Sequence, residues 1–194
     1  MPEKCIQCIY FEQAGPDNTS RTLDAALARA AELDIKHIVV ATTTGETPVQ
    51  LLEKRGEQGP RVVAVTHSAG FAAPNTQELL PDNREAIVQG GGEIVTCQHA
   101  LGGVNRAVRR KLGTYQLDEI IAFTLRSFGQ GMKVAFEITV MAADAGLIPA
   151  GEEIIAIGGS GRGADTAAVI LSANAQDFFD LRVLEILCKP RAWR

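Results

Sequence analysis

No run of apolar residues in this chain reaches the length of a membrane span, so no helical transmembrane segment is expected. Basic residues are neither abundant nor clustered: 19 Lys and Arg stand against 23 Asp and Glu, for a net charge of −4. The densest basic spot, Arg106 with Arg109-Arg110-Lys111, reads as the exposed face of a helix ending near Gly113, where cations complement the helix dipole. That pattern argues against a nucleic-acid protein. The opening Met1-Pro2-Glu3-Lys4-Cys5 lacks the continuous apolar segment of a secretory leader, and a soluble cytoplasmic protein is expected. Cys5 and Cys8 form a C-x-x-C without a second pair, since only Cys97 with His99 could supply one. If their segment is a strand, a spacing of three puts the two thiols on opposite faces, so buried, reduced thiols and no metal are expected. His37, His67 and His99 have no metal-ligand spacing. No G-x-S-x-G occurs, and Ser160, set between two glycines, is too flexible for the strained elbow of a serine hydrolase.

What is present is a core and two unusual loops. At 194 residues and 46% hydrophobic, the chain suits one domain over residues 1–194, with no linker and no internal repeat. The apolar run Ile154-Ile155-Ala156-Ile157 ends in Gly158-Gly159-Ser160-Gly161-Arg162-Gly163-Ala164-Asp165-Thr166. This reads as a buried strand delivering a glycine loop to the sheet edge. Glycine amides approach a ligand without Cβ clashes, and with one arginine and nearby hydroxyls they make a nest for a phosphate. The competing reading is a solvent-exposed turn that uses glycine for geometry alone.

The second loop follows His-Ile-Val-Val-Ala at His37–Ala41. There Thr42-Thr43-Thr44-Gly45-Glu46-Thr47-Pro48 leads into a helix over Pro48–Lys54, with Pro48 in its first turn. Hydroxyls at a helix N-terminus either cap its free amides or bind an anion together with them. One Thr suffices for a cap, and this loop holds four.

Strand and helix alternate along most of the chain. Strands are predicted over Ile6–Phe11, Arg61–Thr66, Glu93–Thr96, Glu152–Ile157, Ala167–Leu171 and Leu181–Leu187, and helices over Arg21–Leu33, Pro81–Val88, Asp118–Phe128 and Met132–Ala145. No helix separates the last two strands, so the end of the sheet is expected to be antiparallel. The pattern is that of an α/β domain with helices on both faces of a mostly parallel sheet. Ligands in such sheets bind beyond the strand carboxyl ends where strand order reverses, and both loops leave strand carboxyl ends. Gly159-x-Gly161-x-x-Ala164 fits the dinucleotide fingerprint on paper, but a strand and not a helix follows it, so a Rossmann NAD site is rejected. On the Met132–Ala145 helix, Lys133, Glu137 and Asp144 read either as a solvated stripe or as a lysine–carboxylate pair facing the ligand crevice.

Thr42-Thr43-Thr44-Gly45-Glu46-Thr47 followed by Arg61-Val62-Val63-Ala64-Val65-Thr66 resembles the C-terminal allosteric domain of pyruvate kinase. More closely, the chain resembles a small, mostly uncharacterised family of stand-alone proteins with that domain's fold. Asn18-Thr19 with Thr22-Leu23, Met132–Glu137, Gly158–Thr166 and Glu185–Arg191 carry that match. The resemblance implies a three-layer α/β/α sandwich with a mixed, mostly parallel sheet and an antiparallel edge strand, with the threonine-loop and glycine-loop strands adjacent. It implies a phosphate held by Thr42, Thr43, Thr44, Gly45 and Thr47 together with Gly159, Ser160, Gly161, Arg162, Gly163, Asp165 and Thr166. The catalytic barrel of pyruvate kinase is absent from these residues, so no pyruvate kinase activity is expected. Glu46 stands where pyruvate kinases often place Arg, Lys or Thr, which counts against a sugar bisphosphate. Flavin mononucleotide (FMN) is the ligand the stand-alone family implies, with Lys133 and Glu137 as candidate catalytic residues. The alternative is a non-catalytic sensor of a sugar phosphate, with a homo-oligomer as one way to transmit the signal.

Overall fold

Seven strands form one sheet in the order β1-β7-β6-β5-β2-β3-β4. They are β1 (Ile9–Phe11), β2 (His37–Thr42), β3 (Arg61–Thr66), β4 (Glu93–Val95), β5 (Glu153–Gly158), β6 (Thr166–Leu171) and β7 (Arg182–Pro190). The helices are α1 (Thr19–Leu33), α2 (Glu46–Arg55), α3 (Pro81–Gln89), α4 (Gly103–Leu112), α5 (Leu117–Arg126) and α6 (Gln130–Asp144). The structure is a computed structural model and describes residues 3–192; Met1 and Pro2, on which the leader expectation partly rests, lie outside them. No helix among the described residues is long and apolar enough to cross a membrane.

The central strands read as unbroken apolar runs because they are covered on both faces. Ile38 and Val40 of β2, with Ile155 and Ile157 of β5, pack against Leu23 and Ala26 of α1 and Leu51 of α2. Val39, Ile154 and Ala156 point the other way, onto Ala135, Ile138 and Ala142 of α6. Strand side chains alternate between the faces, so the two layers draw on the same strands and give the three-layer α/β/α sandwich. Across the end of the sheet, Arg29 of α1 grips Glu185 of β7 through two hydrogen bonds of 2.7 and 2.5 Å.

Helix α6 approaches the sheet closely at its first turn. A Cβ on Gly158 at the end of β5 would stand 2.4 Å from the carbonyl oxygen of Gly131 in the first turn of α6. Backbone cannot yield as a flexible side chain does, so Gly158→Ala is expected to cost about 1–3 kcal/mol through overpacking. A urea midpoint lowered at unchanged slope would register it. A loss below about 0.5 kcal/mol, the range of an ordinary surface substitution, would contradict the close approach.

Three details differ from the sequence reading. β6, the strand that runs antiparallel, is not an edge strand: it lies between β5 and β7, and β1 pairs parallel to β7 beyond it. The first strand covers only Ile9–Phe11, and Ile6 is exposed. β1 pairs with β7 only over Ile9–Phe11, opposite Cys188–Pro190. Cys5 and Cys8 therefore precede the strand, and the opposite-face argument does not apply to them. Cys188, by contrast, is buried in β7, and burial pushes its thiol up to about 11.

Candidate functional site

β2 and β5 are parallel neighbours, with Ile38 opposite Ile155 and Val40 opposite Ile157. From β2 the chain runs through α2 to β3 and then β4, and it returns by α6 on the opposite face to β5. The sheet therefore changes direction between β2 and β5. Both loops leave the carboxyl ends of these two strands and share one cleft of about 780 Å³. Thr42, Thr43, Thr44, Glu46 and Thr47 line it from one side, and Gly159, Gly161, Arg162 and Gly163 from the other.

The threonine loop resolves the choice between capping and surplus. The residue before α2 is Gly45, in the left-handed region at φ 97°, and it has no side chain with which to cap. Its own amide donates to Thr42 Oγ1 at 2.9 Å, so Thr42 closes the turn. Among the described residues, no protein group bonds the hydroxyls of Thr43, Thr44 and Thr47, and no Thr side chain caps α2. Thr44 fixes the loop through its carbonyl, which accepts from Leu80 N and from Asn83 Nδ2. The loop is thus held by its backbone and leaves three hydroxyls and a helix N-terminus unspent.

The glycine loop is anchored from beneath. Asp165 is fully buried, and its Oδ2 accepts from the amides of Gly15 and Ser160 at 3.1 and 3.2 Å while Oδ1 accepts from Thr166 Oγ1 at 2.8 Å. Thr19 Oγ1 accepts from Ala164 N at 3.0 Å, and Thr22 Oγ1 donates to Ala164 O at 3.4 Å. Asp165 and Thr166 therefore sit behind the loop, bonded to it and to each other, and do not line the cleft. Gly163 has φ 66°, and a Cβ there would meet Thr19 Oγ1 at 2.4 Å, so its glycine serves packing. Gly161, at φ 101° with open space around it, is the tip. Arg162 beside it is exposed and forms no ion pair among the described residues.

Lys133 and Glu137 are both 4% exposed and paired through Lys133 Nζ and Glu137 Oε2. Glu137 Oε1 accepts from Leu101 N at 3.0 Å, and His99 Nδ1 faces Oε2 at 3.8 Å. Burial alone would raise the Glu137 carboxyl, but the His99 imidazole and the Lys133 ammonium outweigh it and hold the carboxyl at about 2. Burial also draws the Lys133 ammonium down against the pull of Glu137. The pair's bonds run to the loop after β4 and not to the glycine loop; Glu137 reaches the cleft wall, and Lys133 stands behind it. Asp144 belongs to no such stripe: it is exposed and accepts from Asn174 Nδ2 and Ala175 N at the far end of α6.

The cleft has a flat wall that the sequence reading did not assign. His67, Phe71 and His99 stack, with ring centroids 4.1 Å apart for His67–Phe71 and 4.9 Å for Phe71–His99. His67 Nδ1 is bonded to Glu78 Oε2 at 2.7 Å, and His99 Nε2 accepts from Ser68 N at 3.3 Å. The available signal was position: His67-Ser68-Ala69-Gly70-Phe71 follows the carboxyl end of β3, the side of an open sheet where ligands bind. Apolar Val134, Ile138 and Met141 of α6 line the cleft as well. Among the described residues, no group of three His, Cys, Asp or Glu side chains is placed to hold a metal ion.

Residues 20–170 match the family described as pyruvate kinase, alpha/beta domain. Among solved structures, pyruvate kinases from Cryptosporidium parvum are similar at 15% identity. One covers 80% of this chain and 23% of its own, at a TM-score of 0.42. Another, in complex with ADP, covers 80% and 24% at a TM-score of 0.43. The chain thus spans about a quarter of the length of these pyruvate kinases.

Proposed function

Starting from the fact that this chain belongs to the pyruvate kinase alpha/beta-domain family, we propose that it binds a phosphate-bearing small molecule between its threonine and glycine loops, with FMN as the ligand. The observation that carries this reading is the set of unspent donors around one cleft: the hydroxyls of Thr43, Thr44 and Thr47 and the guanidinium of Arg162. Arginine and hydroxyl donors facing a phosphate make charge-assisted hydrogen bonds, the strong kind. A cleft of about 780 Å³ is within the usual range for a small-molecule site. Its stacked His67, Phe71 and His99, with Val134 and Met141, suit one flat, largely apolar ring. Glu46, also on the lining, disfavours a second phosphate close to the first.

The flavin, when bound, supplies redox chemistry. This chain's own residues hold the phosphate, shelter the ring and keep a buried ion pair behind His99. Lys133 is a positioning residue in this reading, acting through Glu137. In this reading the protein works in the cytoplasm on a small molecule, with no nucleic-acid or membrane partner, as a monomer or a homo-oligomer.

The absorption spectrum of the purified protein tests the proposal. Flavin bands near one equivalent, or a melting temperature that rises with added FMN, are expected. A colourless protein whose melting temperature responds to a sugar phosphate and not to FMN would replace this reading with that of a sugar-phosphate sensor.

A further inference from the structure

Beyond the cleft, we propose a second oxyanion site on the other side of its aromatic wall, built by α4 and taking a small phosphate or carboxylate group. A hollow of about 380 Å³ lies there, and Phe71 and His99 line both it and the cleft. Arg106, Arg110 and Lys111 line the hollow together with Ser68, and no acidic side chain does. Arg106 and Arg110 are one helical turn apart and share a face.

The four cations of this helix are used differently. Arg109 is committed to structure: its Nε lies 2.7 Å from Glu119 Oε1, and its guanidinium lies over the ring of Tyr115. Arg106, Arg110 and Lys111 form no ion pair among the described residues. Arg106 is half-buried, with its guanidinium carbon 4.9 Å from the Phe71 ring centre. Stacking occupies the face of a guanidinium and leaves its in-plane N–H groups for an anion.

The start of α4 adds to the same field. Gly103, the first residue of the helix, lines the hollow, and no side chain caps this end. Its free amides and the positive end of the helix dipole therefore join the arginines. The start of α4, Arg106, Arg110 and Lys111 thus line one concavity that no acidic side chain lines, beside a cleft wall suited to a flat ring. A small anionic molecule there would lie next to the ring bound in the cleft.

The test is a titration with inorganic phosphate, read by amide chemical shifts at constant ionic strength. Ser68 and Gly103 report the hollow; Thr44 and Gly161 report the cleft. No residue of α4 is buried, so the double variant Arg106→Ala/Arg110→Ala is expected to fold. In it the response at Ser68 and Gly103 should weaken at least about tenfold, as loss of charge-assisted bonds requires, while Thr44 and Gly161 respond as before. Arg162→Ala should do the reverse. Lys36→Ala/Lys54→Ala removes equal charge at exposed positions elsewhere and should leave both responses in place. An unchanged hollow response in the α4 double variant overturns the proposal, as does equal weakening in the Lys36/Lys54 variant, which would make the effect general electrostatics. Loss of the Thr44 and Gly161 response alone would count against the cleft and leave the hollow standing.

Discussion

Lys133→Met is expected to destabilise the fold by about 3–5 kcal/mol, the cost of leaving one member of a buried ion pair without its partner. Lys133 and Glu137 are as buried as the apolar residues of α6 around them, so water cannot replace the lost ammonium. Glu137→Gln should also destabilise the fold: it keeps an oxygen able to accept from Leu101 N, but it leaves the buried Lys133 ammonium without its partner. Lys133→Met combined with Glu137→Leu should recover part of the loss and not all of it, because the Leu101 amide then has no acceptor. Acid titration gives a second readout. The folded-state Glu137 carboxyl, at about 2, lies below its ordinary value of 4.5. Its contribution is therefore complete above 4.5 and is lost as pH falls through that window toward 2. Glu137→Gln should flatten the stability profile over the same window. A Lys133→Met protein within about 0.5 kcal/mol of wild type would assign the pair to a solvated surface.

The sequence was informative wherever local pattern and tertiary packing agree. The run Arg61–Thr66 is a strand over the residues expected, because its apolar centre Val62–Val65 is buried on both faces and polar Arg61 and Thr66 mark its ends. Helix α4 ends at Gly113 in the left-handed region, with its cations in the last turn, as the Arg109-Arg110-Lys111-x-Gly pattern indicates. Local pattern could not supply long-range partners. Nothing near Asp165 announces that its carboxylate serves Gly15, 150 positions away, nor that Thr19 and Thr22 hold Ala164. Asp165 and Thr166 therefore read from sequence as ligand contacts, and the structure has them supporting the loop that carries Arg162. The spacing of Lys133 and Glu137 gave one helix face, but which face is buried depends on the loop after β4, which brings Leu101 and His99 onto them. The aromatic wall was hidden for the same reason: Phe71 and His99 meet only because β3 and β4 are neighbours.

The other large effect is expected at the cleft. Arg162→Ala should weaken FMN binding by roughly tenfold or more, since a hydrogen bond to a charged group contributes about 1.5–3 kcal/mol. Stability should stay close to wild type, because Arg162 is exposed and supports nothing else. Thr44→Val removes one unspent hydroxyl at nearly constant volume and leaves the carbonyl that holds Leu80 and Asn83. A smaller loss of affinity is expected there. The two substitutions come from opposite sides of the cleft, and both should be felt by one ligand. Calorimetric titration of the two variants decides the matter. Unchanged affinity in both would overturn the shared site, and loss in only one would reduce it to that loop.

The most direct measurement of the central claim, that the paired loops read a phosphate, is the affinity of the wild-type protein for FMN compared with riboflavin, which differs only by that group. The account predicts FMN to bind at least about tenfold more tightly, and the difference to shrink in Arg162→Ala as the phosphate loses its arginine. Equal affinities for the two flavins, or no binding of either, would contradict it.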